Sequence, residues 1–288
     1  MIPPSLKKAL QESLNSDIKS ITGVSGGSIN RAARLELASG KLCFVKWNET
    51  ADPDMFVKEQ KGLEALTAAG TMLCIPEVYT TGRTTEDTGF LVQEFIDEGR
   101  PKKDSARNFG RELARLHQNN AKQFGFVHDN YIGRLPQSNQ AHANWTDFFI
   151  EERLAPQLQM AVDAGKLGSQ TNHHFEQLYE QLPDLLPKEP PALLHGDLWG
   201  GNYFYDGSGQ ATVYDPAVYY GHREIELAFT HLFGGFEANF YHSYENITPL
   251  EPGFSDRKDI YNLYPLLVHA NLFGGSYARQ VRSIVKRF

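Results

Sequence analysis

The chain has 288 residues, 41% of them hydrophobic and 22% charged, enough to bury one large core or two modest ones. A formal net charge of −7 argues against a broad nucleic-acid surface, which needs clustered positive charge. Cys43 and Cys74 are too few for a disulfide framework, and no run approaches the roughly twenty apolar residues that cross a bilayer. The stretch Met1 to Ser20 mixes Lys7, Lys8, Glu12, Asp17 and Lys19 with scattered apolar positions, unlike a signal peptide, so a reducing, cytoplasmic setting is expected. No membrane partner is expected, and no sequence signal bears on oligomeric state.

In chain order, Val24 to Asn30 carries Gly26, Gly27 and Ser28, whose backbone could approach a phosphate closely. A plain hairpin turn explains the same residues equally well when they are taken alone. Ala33 to Leu37 and Leu42 to Trp47 predict a hairpin around Ser39-Gly40-Lys41. Lys46, near the end of its second strand, is a candidate for the α/β-phosphates of a nucleotide. Its ion-pair partner would be Glu59, or alternatively Glu64, on a helix from Met55 to Ala69 that stops at Gly70. Two short strands, Pro76 to Thr80 and Phe90 to Phe95, precede a change of pattern at Glu94 to Gly99, which reads as a hinge.

Helical stretches come next, around Arg107 to Gln118, Trp145 to Gly165 and His173 to Leu182. His117 reads as a satisfied packing residue, and Glu151, Glu152 and Arg153 read as a solvated helix face. His173 and His174 lack the surrounding pattern of a zinc site. The whole therefore predicts an α+β chain of two lobes, a small β-rich one over 1–96 and a larger, mainly helical one over 97–288. Leu232-Phe233-Gly234-Gly235 recurs as Leu272-Phe273-Gly274-Gly275, too isolated a recurrence to indicate a repeat architecture.

The strongest signal is an apolar strand end running into His195-Gly196-Asp197-Leu198-Trp199-Gly200-Gly201-Asn202. The spacing is that of a kinase catalytic loop, in which the Asp accepts the attacking hydroxyl's proton and the Asn holds Mg²⁺. Tyr203 to Tyr205 and Ala211 to Tyr214, joined by Asp206-Gly207-Ser208-Gly209-Gln210, predict a second hairpin. A hairpin returns to its starting end, so Asn202 and Asp215 can converge on one cation, and Mg²⁺ needs only one or two protein oxygens. Tyr219 to Phe229 reads as a polar loop entering a helix: His222, Arg223 and Glu224 are substrate candidates or merely capping charges, and Glu226 suits the helix's positive end. Trp199, two residues from Asp197, is a fourth substrate candidate.

On these motifs the chain resembles the fructosamine/ketosamine-3-kinase family, related to aminoglycoside phosphotransferases and choline kinases. Further family-like stretches are Phe44-Val45-Lys46-Trp47-Asn48, Phe124-Gly125-Phe126, Asp129-Asn130-Tyr131-Ile132-Gly133, Asn144-Trp145 and Asp215-Pro216-Ala217. The resemblance implies a protein-kinase-like fold binding ATP and Mg²⁺, with adenine on the hinge backbone at Glu94, Phe95 and Ile96. It makes Asp197 the base, Asn202 and Asp215 the metal ligands, Lys46 with Glu59 the phosphate clamp, and Glu226 a brace for the catalytic loop. It implies a small or protein-bound ketosamine as acceptor, phosphorylated at O3. The alternatives are another small hydroxyl compound, such as an aminoglycoside or amino alcohol, and a non-catalytic nucleotide-binding scaffold. Asp215-Pro216-Ala217 departs from the Asp-Phe-Gly of protein kinases, which argues against a regulatory flip of this segment.

Overall fold

The structure, a computed structural model, describes residues 2–24 and 29–288. Helix α1 (Pro4–Leu14) opens the chain, begun by a proline at its first turn and ended by Asn15 in the left-handed region. Its Leu6 and Leu10 lie against one face of an antiparallel sheet of β1 (Ile18–Val24), β2 (Arg31–Leu37), β3 (Leu42–Asn48), β4 (Val78–Arg83) and β5 (Gly89–Glu94), in the order β1-β2-β3-β5-β4. Strict alternation decides which side chains meet α1: Ala33, Leu35 and Leu37 from β2, and Cys43, Val45 and Trp47 from β3, are all buried there. Helix α2 (Met55–Ala68) covers strands β4 and β5 and inserts Met55 and Phe56 beside Leu91.

The second part is helical, with short hairpins: α3 (Ser105–His117), β6 (Asn130–Ile132), β7 (Leu135–Gln137), α4 (Trp145–Phe148), α5 (Ala155–Asp163) and α6 (Gln170–Leu185). Then come β8 (Ala192–Leu194), β9 (Tyr203–Tyr205), β10 (Ala211–Val213), β11 (Tyr219–Gly221), α7 (Arg223–Leu232), α8 (Ala238–Glu245), α9 (Phe254–Phe273) and α10 (Ser276–Val285). Helix α9 is buried on most sides, and α5, α7 and α10 pack around it. The segment after β5 is tied to the β9–β10 hairpin: the Gly99 N–H donates to Tyr205 O at 2.6 Å, and a Cβ on Gly99 would lie 2.3 Å from Asp206 O. Only glycine permits that approach.

The expected single helix over Trp145 to Gly165 is three pieces, α4, a π-helical turn at Phe149–Leu154, and α5. The extra residue of a π-turn rotates the next helical turns about the axis. Arg153 is accordingly 0% exposed and Glu152 is buried, so the reading of Glu151, Glu152 and Arg153 as one solvated face holds for Glu151 alone. Helix α1 escapes a reading by periodicity, because its short apolar stripe is interrupted by charges that face solvent.

Candidate active site

Strand β8 is wholly buried and pairs with β11, so the loop that leaves it starts from a fixed point. Gly196 comes two residues later at φ +83°, and a Cβ there would lie 2.0 Å from Ala217 O, so the loop can turn this sharply only with glycine. Asn202 closes the loop: its Nδ2 donates to Asp197 O at 2.8 Å and to Asp197 Oδ2 at 2.9 Å. Below the loop, Glu226 from the first turn of α7 accepts the N–H of Gly196 at 2.7 Å and that of His195 at 3.2 Å. His117, from the end of α3, lies 2.8 Å from the same carboxylate and 2.7 Å from Tyr244 Oη. Burial alone would push the Glu226 carboxyl up, but the His117 bond and charge outweigh it and hold the group below its ordinary value. Glu226 thus braces the catalytic loop as the resemblance implied, and His117 is buried and satisfied between two partners.

The β9–β10 hairpin brings Asp215 back beside Asn202, and Tyr214 N–H donates to Asn202 O at 3.2 Å. Asp215 stands at φ +55°, and its Oδ1 accepts from Lys46 Nζ at 2.6 Å. Lys46 is buried and also pairs with Glu59; Glu64, the alternative partner, instead accepts from Gln60. Burial pulls the Lys46 ammonium down, yet the charges of Asp215 and Glu59 more than offset it and raise it to about 12. Burial pushes the Glu59 carboxyl up to about 7 against the opposing pull of Lys46. Burial likewise lifts Asp197 well above the usual carboxylate range, against the Asn202 bond that lowers it. A cation beside Asn202 and Asp215 would bring it down again.

The donor set suits such a cation. Asn202 spends its N–H groups on Asp197, and Asp215 spends Oδ1 on Lys46, which leaves Asn202 Oδ1 and Asp215 Oδ2 without protein donors among the described residues. Two oxygens, one of them anionic, are what a hard divalent ion takes alongside phosphates and waters.

The remaining candidates divide. Gly26, Gly27 and Ser28 lie outside the described residues. Glu94 ends β5 with its N–H donated to Glu77 O, while the backbone groups of Phe95 and Ile96 have no backbone partner among the described residues. Trp199 is half-buried beside Asp197, with its ring edge-on to Phe233 at 5.7 Å.

His222, Arg223 and Glu224 are not at the cleft, which corrects their reading as substrate contacts. His222 is fully buried, stacked on Tyr261 and 2.9 Å from its hydroxyl. Arg223 donates two bonds to Glu189, each at 2.7 Å, and Glu224 takes two from Arg257, at 2.6 and 2.7 Å. These side chains are spent on buried ion pairs whose partners lie 33 or 34 residues away, so no local pattern signals them.

What does face Asp197 is a cleft lined by Gly196, Asp197, Glu226, Phe229, Tyr264, Pro265, Val268 and His269, among others. The recurring Leu-Phe-Gly-Gly stretches end α7 and α9, and they set Phe233 at 4.8 Å and Phe273 at 5.7 Å from the His269 ring. Tyr277 closes on His269 at 5.1 Å. This wall was missed, although the recurrence was its visible trace.

A sheet-and-helix fold with a basic side chain clamped between two carboxylates, and a loop aspartate held by the asparagine that faces a second aspartate, defines the class as protein-kinase-like phosphotransferases with a hydroxyl acceptor. The chain belongs to the fructosamine kinase family, whose profile matches residues 3–288. A protein of Synechocystis named as a probable ketoamine kinase is 42% identical over 265 residues, covering 92% of this chain and 88% of the relative. The chloroplastic protein-ribulosamine 3-kinase of Arabidopsis thaliana is 37% identical over 280 residues, covering 96% and 84%. A crystal structure from Thermobifida fusca bearing the name fructosamine-3-kinase superposes with a TM-score of 0.87 at 33% identity, covering 98% of this chain and 97% of that one. An aminoglycoside phosphotransferase shares the fold alone, at a TM-score of 0.65 and 18% identity.

Proposed function

We propose that this enzyme transfers the γ-phosphoryl group of ATP to the O3 hydroxyl of a ketosamine, in a reaction that opens the way to deglycation. The observation that carries the chemistry is the convergence of Asp197, Asn202, Asp215 and Lys46 from three separate segments, one loop, the end of a hairpin and a strand of the sheet. Asn202 and Asp215 would hold Mg²⁺, which when bound offsets charge on the transferring phosphates. Lys46, kept charged by its two carboxylates, meets the α/β-phosphates, and the backbone of Glu94, Phe95 and Ile96 meets the adenine. Asp197 takes the proton as the acceptor oxygen bonds to phosphorus and the bond to ADP breaks. Catalysis is then positioning plus electrostatics.

The acceptor assignment rests on the wall. A ketosamine offers hydroxyls, a carbonyl and one amine, and suits a flat aromatic surface with few polar contacts. An aminoglycoside carries several positive charges and calls for clustered carboxylates, whereas Phe229, Tyr264 and His269 line this side of the cleft, with Phe233 packed on His269 and Trp199 on Phe233. The opposite signs of Arg223 and Glu224 do not bear on the choice, since both are buried. Phosphate at O3 sits on the carbon next to the carbonyl. Once the product enolises towards its amine-bearing C1, the enaminol can expel phosphate from C3, and water then hydrolyses the resulting imine to free the amine and leave a 3-deoxydicarbonyl.

The test is incubation with Mg-ATP and a glycated lysine or a shorter ketosamine, monitored by mass spectrometry. A phosphate adduct should form and then release free amine. Phosphorylation of an aminoglycoside or choline, with none of any ketosamine, overturns the assignment.

A further inference from the structure

A chain of buried polar side chains, none used in the mechanism above, runs from Arg153 to the backbone just after Asp215. Arg153 is 0% exposed and has no carboxylate partner among the described residues; its guanidinium lies between aromatic rings, 4.0 Å from the Tyr219 centroid and 4.5 Å from that of Phe148. Its Nη2 donates to Asn139 Oδ1 at 2.6 Å.

A guanidinium can only donate, so that one contact orders everything beyond it. Asn139 must turn its oxygen to Arg153, which leaves Nδ2 to donate to Asn130 Oδ1 at 3.0 Å. Asn130 must then direct its own Nδ2 to Val218 O, at 2.8 Å. Gln137 Nε2 also donates to Asn130 Oδ1, at 2.8 Å, and to Ala217 O, at 3.1 Å. Its Oε1 is left to accept the hydroxyl of Tyr264. The carbonyls of Ala217 and Val218, just beyond Asp215 and Pro216, are thus each held by a buried amide of fixed polarity.

We propose that Gln137 and Asn130, polarised by Arg153 through Asn139, are positioning residues for the metal ligand Asp215, and that Tyr264 links the acceptor wall to the same relay. Protein kinases anchor this segment through the Phe of Asp-Phe-Gly; here Pro216 and Ala217 are small buried side chains, and the amides add a polar hold on the backbone beside the Ala217 N–H bond to His195 O. Asp215 sits at a positive φ, uncommon for a residue other than glycine, and the relay fixes the carbonyls two and three residues further along the chain. A ligand's supporting contacts set metal affinity nearly as strongly as the ligand does.

The inference rests on the nucleotide-binding reading above, and calorimetric titration of the protein with AMP-PNP, in EDTA and in Mg²⁺, separates the two. If the wild type gains no affinity from Mg²⁺, the nucleotide reading itself fails. If it does, Gln137→Leu should lose about tenfold of that gain while its affinity in EDTA stays unchanged. Tyr264→Phe, which keeps the ring and removes one donor, should lose about two- to threefold of the gain. Equal losses with and without Mg²⁺ would mean general loosening, and a wild-type gain in both variants would mean no positioning role; either overturns the proposal. Should Gln137→Leu fail to fold, Tyr264→Phe decides alone.

Discussion

A carboxylate that is to receive a proton from a sugar hydroxyl must be aimed, and Asp197, the proposed base, is aimed by one side chain, the Nδ2 of Asn202. Asp197→Asn should therefore lower kcat by orders of magnitude and leave nucleotide affinity nearly unchanged, because an amide accepts no proton. Steady-state rates paired with ADP titration check this; near-normal turnover removes Asp197 from the role of base. Asp215→Asn should act on the other quantity and weaken Mg²⁺-dependent nucleotide binding, since it deletes an anionic ligand. Metal titration of nucleotide binding would show it, and an unchanged apparent Mg²⁺ affinity contradicts it. The convergence of these residues was legible in the sequence because short-range spacing and one hairpin generate it. The fate of His222, Arg223 and Glu224 was not, because it depends on Glu189, Arg257 and Tyr261, and no local pattern announces which charge meets which across the core.

Among the elements, α7 does two jobs from opposite ends. Its first turn carries Glu226 under the catalytic loop, and its last residues lead into Phe233 on the acceptor wall. Glu226→Gln should cost roughly 1–3 kcal/mol, the scale of a disrupted buried charged bond, and reduce activity with it. Thermal unfolding beside rate measurements tests the pairing; lost activity with an unshifted melting curve would move Glu226 into the chemistry. Phe233→Ala should instead raise KM for the acceptor severalfold while KM for ATP and the melting curve stay near wild type, because the ring lies at the surface of the wall. Equal rises in both KM values would place Phe233 outside the acceptor site. Strands β2 to β5 and α2, α3 and α6 were readable from periodicity to within a few residues, whereas β1 was not read. The π-turn was not: an apolar spacing that fits a continuous helix also fits one with an inserted residue, and only packing around Arg153 selects the second.

For the molecule as a whole, several imidazoles fold into places where they resist charge, and they contribute to stability on the acid side. Burial holds His222 down to about 4, against opposing help from Glu189, and His195 and His269 are also lowered by burial. A lowered folded value means that the unfolded chain takes up a proton first as pH falls. Stability is therefore full above the ordinary histidine value near 6.5 and declines as pH drops from there toward 4, by up to roughly 3 kcal/mol for His222 alone. Urea unfolding at pH 7.5 and pH 5 should show about 2 kcal/mol of that loss from His222 in the wild type and a smaller total loss in His222→Gln. Identical losses would show that His222 does not titrate on unfolding in this range. The two-lobed α+β class was legible because its signals, alternation first and 3.6-residue periodicity later, come in separate stretches of chain. The nearly all-round burial of α9 was not, since an apolar stripe that has no polar face carries no moment to read.

The two Leu-Phe-Gly-Gly corners stand apart from the machinery that handles phosphate. One ends α7 and the other ends α9, whereas Asp197, Asn202 and Asp215, the proposed proton acceptor and metal ligands, sit on the loop after β8 and at the end of the β9–β10 hairpin. A change of length or residue at either corner would redraw the proposed acceptor surface and leave Asp197, Asn202, Asp215 and Lys46 where they are. Descent with altered appetite is then open to this architecture: new acceptors can be explored by drift at two chain reversals, with the phosphoryl chemistry inherited whole.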